Sequence, residues 1–133
     1  MKQSMLPQEL EVWYILPAIR KAFAIEMIRQ GIPQKRIAVL LGVTSAAISQ
    51  YKNDKRAKEI MFNPMVKAEI KKAVERIMKS PDIVFSEVMY INQLLKQSRV
   101  FCQIHKEMSP TPKGCEAVCD KYYFEGLIKL RGA

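Results

Sequence analysis

The run Gln34-Lys35-Arg36-Ile37-Ala38-Val39-Leu40-Leu41-Gly42-Val43-Thr44-Ser45-Ala46-Ala47-Ile48-Ser49-Gln50-Tyr51 reads as two short helices joined by a tight turn. Pro33 suits the start of a helix, and Gly42 falls where a turn needs a positive φ, which glycine tolerates without a steric cost. Thr44 can cap the second helix, because its hydroxyl accepts an orphan backbone N–H. Ile37, Leu41, Val43, Ile48 and Tyr51 would form the seam between the helices, with Ala38 small where they approach. That spacing is the pattern of a helix-turn-helix over about residues 34–52, and several steric constraints are met at once.

Outward from this unit, the chain continues in helical periods. Pro7 to Ile15 reads as a short helix ending before Pro17, since the residue preceding a proline is pushed away from helical backbone. A second helix is expected from Pro17 to Gln30, stopped at Gly31, with Ile19, Ala22, Phe23 and Met27 on one face. Asn53-Asp54 marks a turn after the helical pair. Asn63-Pro64 then opens a long helix to Lys79, with Val66, Ile70, Ala73 and Ile77 buried. Ser80-Pro81-Asp82 breaks it. The next helix carries Val84, Val88, Ile91 and Leu95 and is expected to run to about Lys106. Ser109 to Gly114 is a loop, and a last helix is expected from Cys115 to Leu130. The fold class is all-α: an N-terminal helix-turn-helix domain over 1–62 and a helical region over 63–133.

The 133 residues are 49% hydrophobic, enough for one modest core. No stretch approaches the roughly 20 apolar residues of a membrane span, and the N-terminus lacks the apolar centre of a signal peptide. A cytoplasmic protein is the expectation. The net charge of +9 is concentrated. Between Pro17 and Ile60, nine Lys or Arg oppose three acids, so +6 of it lies in one third of the chain. A solvated basic face would also give this, but a basic balance on a recognition unit points to a polyanionic partner.

The residues quoted first, with Leu16-Pro17-Ala18-Ile19-Arg20 and Gly31-Ile32-Pro33-Gln34 before them, resemble the phage-repressor-like, XRE-type transcription regulators. They are similar in particular to an archaeal group in which a DNA-binding domain precedes a cysteine-bearing C-terminal region. The resemblance covers about residues 15–56 and loosens after that. It implies a second helix lying in the major groove of double-stranded DNA, presenting Thr44, Ser45, Ala46, Ser49 and Gln50. Gln50 could pair with adenine through its amide, and Ala46 could meet a thymine methyl. Gln34 would contact a backbone phosphate, as its counterpart does in the family. Lys35, Arg36, Lys52, Lys55 and Arg56 would neutralise phosphates without specifying sequence. No arginine lies on the recognition helix, so binding as a homodimer to paired half-sites is expected, with dimer contacts from the helices after Asn63.

Three cysteines, Cys102, Cys115 and Cys119, all fall in the last third. An odd count argues against a disulfide framework. Cys115 and Cys119 are four apart on an expected helix and so share a face. Three bland, buried thiols are one reading. A zinc ion held by Cys102, His105, Cys115 and Cys119 is another. An iron–sulfur cluster on the three thiolates, of three irons or of four with a non-cysteine ligand, is the third, and the resemblance favours it. His105 could be that further ligand, although a lone histidine is commonly an ordinary surface residue. With no CxxC, no phosphate loop and one histidine, a thiol redox enzyme fits poorly. The expectation is a regulator and not an enzyme.

Overall fold

In a computed structural model, residues 4–53 and 60–124 are described, and within them every regular element is helical. In order they are α1 (Pro7–Leu10), a π turn (Glu11–Ile15), α2 (Leu16–Arg29), α3 (Gln34–Leu41), α4 (Ser45–Asn53), α5 (Pro64–Lys79), a 3-10 turn (Pro81–Ile83), α6 (Val84–Gln97), α7 (Val100–Met108) and α8 (Cys115–Tyr122). No helix among the described residues is long and apolar enough to cross a membrane.

The expected break before Pro17 does not occur. Residues 7–29 run on as one continuous rod, with helical backbone angles through Leu10, Ile15 and Leu16. A proline inside an α-helix clashes with the carbonyl four residues back and cannot donate to it. The chain widens by one residue instead: the Leu16 N–H donates to the Glu11 carbonyl, five residues back, and Pro17 enters without breaking the rod.

The signals at Gly31, Gly42, Thr44 and Asn63 hold, whereas Asn53, expected in a turn, is the last residue of α4. Gly31 and Gly42 both have positive φ, at 90° and 66°. At Gly42 the paired bonds Gly42 N–H to Val39 O (3.3 Å) and Val43 N–H to Ala38 O (3.0 Å) close the end of α3. Thr44 Oγ1 accepts from Ala47 N at 3.0 Å, and Asn63 Oδ1 accepts from Val66 N at 2.9 Å, so both expected caps are made.

The helix expected to reach Lys106 is cut at Arg99. That residue has φ 67°, the one non-glycine positive φ among the described residues, and it separates α6 from α7. The left-handed conformation costs a residue with a Cβ on the order of 1 kcal/mol. Arg99 is held there from outside: its guanidinium pairs with Asp120 at 2.6 Å and lies 4.9 Å from the Phe124 ring centre. The end expected for the last helix, Leu130, lies outside the described residues. Within them α8 ends at Tyr122, because Tyr123 leaves helical backbone and brings its ring and that of Phe124 onto Phe101.

One hydrophobic core runs through the molecule. α2 sits at its centre, packing on α3, α4, α5 and α6, while α5 packs on α6 and α6 on α7. Ile19, Phe23 and Met27 of α2 are fully buried, together with Ile37 and Ile48 on one side and Ala73, Ile77 and Ile91 on the other. The boundary expected at residues 62/63 falls in the segment between α4 and α5, and the parts on either side of it share this core.

Candidate nucleic-acid interface and thiol site

The two candidate sites are at different ends of the element order. In the first, the seam residues Ile37, Leu41 and Ile48 are buried and Val43 and Tyr51 half-buried, so α3 and α4 meet through the apolar positions expected. This leaves Thr44, Ser45, Ala46, Ser49, Gln50 and Lys52 exposed along α4, and Lys35 and Arg36 exposed on α3. Lys55 and Arg56 lie outside the described residues, as does Asp54. Gln34 is half-buried, and its Nε2 donates to Ser49 Oγ at 2.8 Å. That bond ties the start of α3 to the middle of α4, a second role that nothing in the local sequence announces.

At the other end, Cys102 stands on α7, and Cys115 and Cys119 on α8. All three are free thiols; Cys119 is buried and the others half-buried. Two ion pairs set the register between these helices: Arg99 with Asp120, and Lys106 with Glu116. One helix therefore runs antiparallel to the other, and Cys102, between Arg99 and Lys106, comes opposite the turn that carries Cys119. The thiols are near enough to act on one another. Burial pushes the Cys119 thiol above its ordinary value, and negative charge at Cys102 and Cys115 adds to the rise. The bond to Asp120 raises the Arg99 pKa above its ordinary value, and Cys102 adds a smaller part of the rise. Among the described residues, no three His, Cys, Asp or Glu side chains are arranged to hold a metal ion.

His105 is engaged elsewhere. It is buried, and its Nε2 lies 2.6 Å from the Met5 carbonyl oxygen, a contact that requires Nε2–H to donate. A metal bond at Nε2 would displace that contact. Ser109 Oγ accepts from Met5 N at 2.8 Å, so the segment before α1 is held to α7 at two points.

Compared with protein-family models, with curated proteins and with solved structures, the chain matches none of them.

Glu11, in the π turn, joins the two sites. Its carboxylate accepts from Asn92 Nδ2 at 2.6 Å, from Lys96 Nζ at 2.9 Å and from the Tyr123 hydroxyl. Burial raises its pKa, but these hydrogen bonds outweigh burial and leave it below the ordinary carboxylate value. Tyr123 is pushed far up by burial and by the carboxylate beside it, so it stays a donor. The rod of residues 7–29 is thus fastened to α7 through Met5 and to the end of α8 through Glu11, while its α2 portion supports α3 and α4. No sequence signal pairs Glu11 with residues more than eighty positions away.

Proposed function

We propose that this chain is a cytoplasmic, sequence-specific DNA-binding transcription regulator that acts as a homodimer and is not an enzyme. In this reading α3 and α4 form a helix-turn-helix and α4 is the recognition helix. The observation that carries the reading is the exposed polar face of α4, Thr44 to Lys52, backed by buried seam residues and flanked by exposed Lys35 and Arg36. A helix that presents Ser, Ala, Ser and Gln outward suits the hydrogen-bond and methyl pattern of a major groove. The basic surplus around it supplies affinity without specificity.

The test is binding to selected and to random duplexes at fixed salt. Gln50→Ala should weaken binding to the selected site by about 1–3 kcal/mol and leave random DNA nearly unaffected. An equal loss on both would remove Gln50 from base reading. Two chains per selected site, counted by sedimentation, are expected; one chain per site would overturn the dimer.

Three thiolates are the ligand class of a soft metal centre, and an iron–sulfur cluster acting as a redox or iron sensor is the proposed occupant, one that would need the thiols drawn closer together. Cys102, Cys115 and Cys119 are the ligands of the thiolate class that such clusters take, and Phe101, Tyr123 and Phe124 pack together as an aromatic cluster where α8 ends. When bound, the cluster would supply one-electron redox chemistry. The chain's own residues would transmit the change: a shift of α8 moves Tyr123, hence Glu11, hence the rod under α3 and α4. A structural zinc site with His105 as fourth ligand is the second reading; because His105 Nε2 donates to the Met5 carbonyl, Nδ1 would be the ligating nitrogen. Protein purified without oxygen should contain iron and acid-labile sulfide, and His105→Ala should retain both. Stoichiometric zinc that is lost in His105→Ala would replace the sensor with the structural site, leaving the DNA reading intact.

A further inference from the structure

The ion pairs between α7 and α8 set which thiols stand at the same level. Arg99–Asp120 and Lys106–Glu116 fix the antiparallel register. Pairing 99 with 120 and 106 with 116 puts position 102 opposite 118–119. Cys115 lies a full turn away from that level. Cys115 and Cys119 share one helix four residues apart, where their Cβ atoms lie about 5–6 Å apart, beyond the roughly 3.5–4.5 Å that a disulfide needs. The one bond that preserves both helices is between α7 and α8.

We propose that the metal-free protein is a thiol switch in which Cys102 and Cys119 close an intramolecular disulfide under a hydroperoxide such as hydrogen peroxide. It shares the location of the proposed cluster but does not depend on what metal, if any, the thiols bind.

Cys102 is half-exposed and can meet an oxidant, whereas Cys119 is buried. The Cys102 sulfur attacks one peroxide oxygen, the O–O bond breaks, and water leaves once a proton is supplied, giving a sulfenic acid. The Cys119 sulfur then attacks the Cys102 sulfur; the S–O bond breaks, the hydroxyl leaves as water with the Cys119 proton, and the disulfide remains. Overall, two thiols are oxidised by two electrons and one hydrogen peroxide becomes two water molecules. Arg99 lies three residues before Cys102, at the start of the same helix. Its left-handed backbone is held by Asp120, the residue next to Cys119, and strained residues of this kind gather at functional sites. Closing the bond draws Asp120 and the aromatic pair Tyr123–Phe124 with it, and Tyr123 is the group that holds Glu11.

The experiment uses the full chain, treated with an iron and zinc chelator, reduced, and then exposed to hydrogen peroxide with all free thiols afterwards alkylated. Peptide mapping of the wild-type protein should find one crosslink, Cys102 to Cys119 within one chain, with Cys115 alkylated. Cys115→Ser should keep the crosslink, while Cys102→Ser and Cys119→Ser should lose it. A crosslink through Cys115, a bond between two chains, or three alkylated cysteines after peroxide would each overturn the proposal. Because metal is removed first, absence of iron from the untreated protein speaks only to the cluster reading.

Discussion

Replacing Phe23 with alanine should cost about 3–5 kcal/mol of stability, the range for deleting a buried aromatic ring. Phe23 is fully buried on α2, between Ile19 and Met27, on the helix that packs against α3, α4, α5 and α6. The cavity would lie in the helix that α3, α4, α5 and α6 all pack against, so the surroundings cannot close it by moving one element. A domain of ordinary stability holds about 5–15 kcal/mol in all, so the loss is about a fifth of the total or more. Phe85→Ala is the comparison. Its ring is 78% exposed on α6, and its removal should shift stability by no more than about 0.5 kcal/mol. Urea denaturation of the two variants reads the difference as a shift in midpoint at unchanged slope. Near-equal midpoints would mean that α2 is not the centre of the core.

That contrast between two phenylalanines marks what a sequence carries and what it does not. Phe23 is legible because Ile19, Ala22, Phe23 and Met27 repeat at helical spacing, and periodicity is a local property. The same holds for Gly31, Gly42, Thr44 and Asn63, whose effects reach only a few residues and which all act as their positions imply. Pro17 misleads for a physical reason: the rule that proline ends a helix assumes an α turn before it, and here a π turn removes the clash. Arg99 is invisible in the sequence because no local preference favours a left-handed arginine. Asp120 and Phe124, some twenty residues on, hold it there, and such a contact has no signature in a window of sequence.

The candidate sites divide in the same way. The exposed face of α4 follows from the seam beneath it, so its residues could be named from spacing alone. For the thiols, sequence gives the shared face of Cys115 and Cys119, but the side that Cys102 approaches depends on which cations on α7 meet which acids on α8. Likewise His105 is a lone histidine in sequence and a fastening for Met5 in the fold. The link from the thiols to α2 through Glu11 rests entirely on long-range hydrogen bonds.

Neutralising Lys35, Arg36, Lys52, Lys55 and Arg56 together should flatten the dependence of log K on log salt by about 4–5 units, at about 0.9 for each phosphate no longer neutralised by the protein. Near 0.15 M salt the same counterion arithmetic gives an affinity loss of about three to four orders of magnitude, on selected and random DNA alike. Lys35, Arg36 and Lys52 are exposed on α3 and α4, beside the polar face that would enter the groove, so they can reach phosphate without disturbing the core. Net charge alone would also weaken binding to a polyanion, and a second set of substitutions separates the two effects. Lys79, Lys113 and Lys121 are exposed on α5, the loop before α8, and α8. Replacing those three with glutamine lowers the net charge by three without touching α3 or α4. A long-range charge effect is screened within about 8 Å at physiological salt, whereas a released counterion counts fully wherever a cation meets a phosphate. The second set should therefore change the slope by much less than one unit per charge. If the two sets flatten the slope equally per charge, α3 and α4 are not the surface that meets DNA, and the recognition role of Gln50 goes with them.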